Sequence, residues 1–154
     1  MKLIPTGIEN FKELIDKDYY YVDKTNLIVN IINEKVVLYT RPRRFGKTLN
    51  MSMLYYFFSI KEKKNSYLFN HLNISKNIDA LKHQNKYPTI FISLKDMKVP
   101  SMENQLLNFS SIIARLLDQF EDILDYDIFN DREKTLLNKY HMGIASKNEL
   151  AESL

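Results

Sequence analysis

The stretch "VVLYTRPRRFGKTLNMSMLYYFFSI", residues 36–60, most constrains what this chain can fold into. Val36 to Thr40 is a continuous β-branched and aromatic run, which predicts a strand buried on both faces of a parallel sheet. After it, Leu49, Met53, Phe57 and Ile60 recur at intervals of four, four and three, which predicts a helix with one side on the core. Between them lies "RPRRFGK", so a basic loop joins strand to helix. The expectation is an α/β fold.

Such a junction suits phosphate. In a phosphate-binding loop, backbone N–H groups point inward, the next helix N-terminus adds partial positive charge, and a lysine bridges two phosphates. Gly46 lets the backbone approach without a Cβ, Lys47 is the bridging cation, and the Thr48 hydroxyl can ligate Mg²⁺. The usual pattern has a glycine five positions before Gly46, and here Arg41 stands there. The candidate nucleotide-contacting set is Arg43, Arg44, Phe45, Gly46, Lys47, Thr48 and Leu49. A second reading takes Arg41, Arg43, Arg44 and Lys47 as a solvated basic cluster, or as a contact for nucleic-acid backbone or a protein partner.

Elsewhere the pattern is mostly helical. Ile8, Phe11, Leu14 and Ile15 predict a short helix to about Asp16, followed by an extended "YYYV". Asp23 is placed to cap a helix carrying Leu27, Ile28, Ile31 and Ile32 on one face. Lys61 to Lys86 predicts short helices on the surface of the sheet, and "YPTIFISL" a second strand with Pro88 at its start. Ser101 can cap the longest helix, striped by Met102, Leu106, Phe109, Ile113, Leu116, Leu117 and Phe120. Asn130 with Glu133, and Ser146 with Glu149, have capping-box spacing, the first helix stopping at Gly143.

With 154 residues, 45% of them apolar, the chain can bury one sizeable core, and only three glycines and four prolines leave no linker to divide it. There is no cysteine, which excludes disulfides and thiolate metal sites. A net charge of +3 carries no argument for nucleic acid by itself. No run approaches the roughly 20 apolar residues of a membrane span and no signal peptide stands at the start, so the expected setting is cytoplasmic. His71, His83 and His141 lack metal-ligand spacing. Asp96, and the acids of "DILDYD", are weak candidates for the acidic group that hydrolysis requires.

Taken together, "GIENFKELIDKDYYYVDKTNLI", "LYTRPRRFGKTLNMSML" and "YPTIFISLKD" resemble the AAA-ATPase-like family of bacterial and archaeal proteins, whose loop has the form R-P-R-R-F-G-K-[ST]. On that resemblance Arg41 is a family trait. It implies a P-loop NTPase-like αβα sandwich with a mainly parallel sheet, residues 1–154 being its N-terminal part. ATP and Mg²⁺ are the implied cofactors, with Gly46, Lys47 and Thr48 in contact with nucleotide. It also implies that "YYYVDKT" lies beside the nucleotide, where Tyr21 would stack on adenine; the residues alone make Asp23 a helix cap and Tyr19 to Val22 a packed edge. In the family an apolar strand ending in Asp-Glu follows the region where this chain stops, and a restriction-endonuclease-like domain often lies further on. Nucleotide binding with little turnover is therefore expected of this chain, which in a longer protein would be the regulatory ATPase part of a nuclease or defence factor.

Overall fold

The computed structural model describes residues 1–154 apart from Arg43, Lys95, Asp96, Lys98, Val99, residues 123–125, the Tyr126 side chain and Leu154. Of the sequence candidates, Arg43, Asp96 and Asp125 lie outside the described residues. The chain divides into two compact units, Met1–Phe91 and Ile92–Leu154.

In the first unit, α1 spans Phe11–Asp16, α2 Asn26–Ile31, α3 Lys47–Phe58 and α4 Ile78–Leu81, with 3-10 turns over Ile60–Phe69 and Asn73–Lys76. α1 starts where Asn10 accepts a hydrogen bond from the Glu13 N–H, so Ile8 stays outside the helix. α2 starts differently from expectation: its cap is Thr25, without a side-chain capping bond. The Asp23 carboxylate instead accepts from the Thr25 N–H at 2.8 Å and hydroxyl at 2.6 Å, and from the Asn73 N–H at 2.6 Å. Asp23 thus ties the entry of α2 to the turn at residues 73–76.

The apolar faces of these helices meet in one core of Phe11, Ile28, Met53, Phe57, Leu68, Phe69, Ile74 and Ala80. Phe69 stacks on Phe11 at 5.3 Å between ring centroids and meets Phe57 edge-on at 5.1 Å. Such aromatic pairs each add about 0.5–1.5 kcal/mol beyond the area they bury. Buried polar groups are satisfied locally, with Ser52 in α3 accepting from the Phe11 N–H at 3.0 Å. At the end of α3, Asn85 holds a left-handed φ of 54° and donates to the Tyr56 and Ser59 carbonyls at 3.0 and 2.8 Å.

The expected sheet is not there. Val36 to Thr40 and Thr89 to Leu94 form no strand, and among the described residues the β-contact is one isolated parallel bridge between Ser59 and Tyr87. Val36 is 88% exposed and Leu38 86%. The αβα sandwich with a mainly parallel sheet is therefore overturned in favour of a helical architecture. The physical reason is that a strand exists only through pairing with a neighbour, and here the core is closed by helices and 3-10 turns. Residues 61–86, expected to cover a sheet, instead supply Leu68, Phe69, Ile74 and Ala80 to that core.

In the second unit, α5 spans Met102–Phe120, α6 Asp131–His141 and α7 Lys147–Ala151, with a 3-10 turn at Tyr126–Ile128. Ile113, Tyr140 and Leu150 form its core, with Leu106, Phe109, Leu116, Leu117 and Leu136 packed against them. Both capping boxes form, at Asn130 with Glu133 and at Ser146 with Glu149. α6 ends at His141, and Gly143, just past its Met142 cap, has a φ of +68°. Among the described residues no helix is long and apolar enough to cross a membrane.

Candidate functional site

The loop enters α3 through two left-handed residues. Gly46 is the N-cap at φ 71°, ψ 25°, and Arg44 has φ 68°. A Cβ on Gly46 would meet nothing within 4 Å, so glycine is favoured there by the backbone angle alone. The Asn50 N–H bonds to the Gly46 carbonyl at 2.9 Å and closes the first turn. The amides before it, those of Lys47, Thr48 and Leu49, are the N-terminal groups for which a helix has no internal acceptor, and the helix dipole makes their surroundings favourable to an anion.

Lys47 turns back over the loop. Its ammonium donates to the Arg41 carbonyl at 2.6 Å and to the Pro42 carbonyl at 3.0 Å. The start of the loop is held from α3 as well: Asn50, 3% exposed, donates to the Tyr39 hydroxyl at 3.1 Å. The Arg41 guanidinium lies 5.4 Å from the Tyr39 ring centroid. Hydrogen bonding to Arg41 outweighs the desolvation of the Tyr39 phenol and holds its pKa below the ordinary value, with Asn50 adding to the effect. Tyr39 and Asn50 were not singled out by sequence. Their pairing crosses the loop, and no local periodicity reports it.

Arg44, Gly46, Lys47, Thr48 and Leu49 line a cleft of about 690 Å³, and the rest of its lining comes from Pro5, Thr6, Gly7, Ile8 and Glu9. That volume falls within the roughly 300–1,000 Å³ of small-molecule sites. Of the sequence candidates, Thr48 is exposed, Leu49 packs on the core, and Phe45, 65% exposed, is not part of the lining. The residue types fit a phosphate group: a glycine with open space at its Cβ position, a lysine and an arginine line one volume at a helix N-terminus.

Tyr21 belongs elsewhere. Its ring meets Phe11 edge-on at 5.6 Å, and its hydroxyl donates to the Met53 sulfur at 3.4 Å while accepting from the Lys24 N–H at 3.2 Å. Burial pushes the phenol up to about 12. These are core contacts, and Tyr21 does not line the cleft. His83 bonds to the Tyr87 hydroxyl and His141 to Asp118 at 3.0 Å. Among the described residues no group of three or more His, Asp or Glu stands together as a metal cage.

A helical protein with a basic loop closed on a helix N-terminus is the class these observations define. The chain matches the profile of the family described as Predicted AAA-ATPase over residues 5–150, and it belongs to that family. It is 42% identical over 55 residues to an uncharacterized protein in the vnfD 5' region of Azotobacter chroococcum mcd 1. That alignment covers 34% of this chain and 11% of the Azotobacter protein. No solved structure matches the chain.

Proposed function

We propose that the chain binds ATP, with Mg²⁺, in the cleft over the N-terminus of α3. One observation carries this reading: Arg44, Gly46, Lys47 and Thr48 line one cleft at the start of a 12-residue helix. Membership of a family of predicted ATPases supports it. The Lys47 ammonium exchanges its carbonyl acceptors for phosphate oxygens, the loop amides receive the rest of the phosphate charge, and Arg44 reaches the same group from the loop. Mg²⁺, when bound, neutralises phosphate charge, and the Thr48 hydroxyl is the group that would help hold it. Hydrolysis also needs an acidic group to orient water, and the activity assigned to this stretch is nucleotide binding.

Titration of a fluorescent ATP analogue with Mg²⁺ tests the reading. Replacing Lys47 with Ala is expected to weaken binding by at least about tenfold, the scale of one lost charge-assisted hydrogen bond. Equal binding by native chain and variant would refute the assignment. Exposed Arg41 and Arg44 favour a second reading, a contact for nucleic-acid backbone. In that case binding to duplex DNA falls steeply with salt, is independent of Mg²⁺ and is shared among the arginines.

A further inference from the structure

Residues 60–87 concentrate positive charge. Six lysines stand there against Glu62 and Asp79, an excess of four in a chain whose whole excess is three. Both carboxylates are already engaged: Glu62 accepts from the Asn65 amide, and Asp79 from Lys82 at 2.7 Å. Lys63, Lys64 and Lys86 are exposed and, among the described residues, carry no ion pair.

The fold gathers these residues. The Ile60 N–H donates to the Tyr87 carbonyl at 2.8 Å and the Tyr87 N–H to the Phe58 carbonyl at 3.0 Å, so the segment ending at Tyr87 runs beside the start of the 3-10 turn over Ile60–Phe69. The Gln84 amide donates to the Ser66 carbonyl at 3.1 Å and ties the two segments again further along. Lys63 and Lys64, between these ties, lie in the same region of the surface as Lys86. An aromatic pair stands with them. The His83 and Tyr87 rings are near-parallel, 5.9 Å between centroids and 15° between planes, with a hydrogen bond from ring nitrogen to hydroxyl. Phe58, at the end of α3, meets Tyr87 edge-on at 6.0 Å, and Tyr87 remains 43% exposed.

Cations alone would suit any polyanion. An exposed ring held among them adds a stacking surface, which suits unpaired bases and not a duplex, whose bases are already stacked on one another. We infer that the face formed by residues 60–66 and 83–87 binds single-stranded nucleic acid, with Lys63, Lys64 and Lys86 following the phosphates and Tyr87 stacking on a base. It shares no residue with the lining of the cleft over α3 and stands independently of the ATP reading.

The test is the fluorescence anisotropy of a labelled oligothymidine of roughly 20 nucleotides, titrated with the chain at several salt concentrations. Lys63→Ala/Lys64→Ala/Lys86→Ala should reduce the slope of log affinity against log salt by about two, at ~0.7 for each lost phosphate contact. Tyr87→Ala should weaken binding at least about fivefold, whereas Arg41→Ala/Arg44→Ala, on the loop, should change it by less than about twofold. The inference falls if the lysine variant keeps the native salt slope, or if Tyr87→Ala binds the strand as the native chain does. Loss of binding in the loop variant and not in the lysine variant overturns it too, as does binding to phosphatidylserine vesicles without binding to the oligonucleotide. Circular dichroism checks that Tyr87→Ala keeps its helices. If it does not, the native chain decides the matter, since equal affinity for a duplex of the same length also overturns the inference.

Discussion

The Lys47 ammonium lies 2.6 Å from the backbone carbonyl of Arg41, the residue that stands where a glycine is usual. The bond uses the main chain of Arg41 and not its side chain, so the residue type at 41 is free of that particular demand. Arg41→Gly should therefore keep ATP affinity within about threefold, whereas Lys47→Ala loses it, when both are titrated at fixed Mg²⁺. In the same Arg41→Gly variant the Tyr39 phenol should return upward toward its ordinary pKa, because the guanidinium that lowers it is gone. Carbon-13 NMR of labelled tyrosine reads that shift.

Gly46→Ala should cost about 1–2 kcal/mol of stability in urea denaturation, the penalty of a left-handed L-residue. The loss has no steric part, since an added Cβ meets nothing within 4 Å. A cost near zero would mean that the loop relaxes out of the left-handed region.

Asp23→Ala should destabilise the first unit by about 1–3 kcal/mol, because the Thr25 and Asn73 donors lose their acceptor. Burial by itself pushes the Asp23 carboxyl up, but hydrogen bonds from Thr25 and Asn73 more than offset it and leave the pKa below its ordinary value. A lowered pKa contributes stability above the unfolded value near 3.8 that is lost as pH falls through the folded one. Thermal melts of the native chain should show that acid loss, and Asp23→Ala should reduce it.

Glu149 gives the second unit an acid dependence of the same sign. Hydrogen bonding to Lys139 first, and then to Ser146, draws its carboxyl down to about 2 from 4.5. Its contribution is complete above about pH 4.5 and disappears toward pH 2, so Glu149→Gln should flatten the melting curve against pH in that window. The Lys139 bond measures 2.6 Å and the Tyr140 hydroxyl donates to the Glu149 carbonyl at 2.6 Å, so the backbone tie persists in the variant.

The Ser110 hydroxyl is buried and has no hydrogen-bond partner among the described residues. Ser110→Ala removes that desolvated group and should raise stability by up to about 1–2 kcal/mol in chemical denaturation. Substitution at Gly143 is a contrasting control: an added Cβ would sit 3.6 Å from the Ser110 oxygen, in ordinary contact, and φ of +68° strains any L-residue there.

Local signals transferred well from sequence to structure. The boxes at Asn130 and Ser146 need only residues three apart, and the stripe of Leu49, Met53 and Phe57 needs only one helix. Asp23 shows where local logic stops. The sequence places it as the cap of α2, but Thr25 holds that position, and the third donor to Asp23, the Asn73 N–H, is 50 positions away. In the cleft, the loop half was legible because its residues are consecutive, while Pro5 to Glu9 stayed hidden some forty positions upstream.

What the sequence by itself determined is the helical periodicity, the two capping boxes, and a loop whose glycine, lysine and threonine follow one another into a helix. Those features depend on backbone angles and on neighbours within a turn or two. Only the tertiary structure decided that "VVLYT" and "TIFISL" form no sheet, that Tyr21 is core, and that an N-terminal segment completes the cleft. Strand pairing, burial and cavity walls are properties of residues far apart in the chain, and a β-branched run states only that a residue tolerates a strand, never that a partner is present.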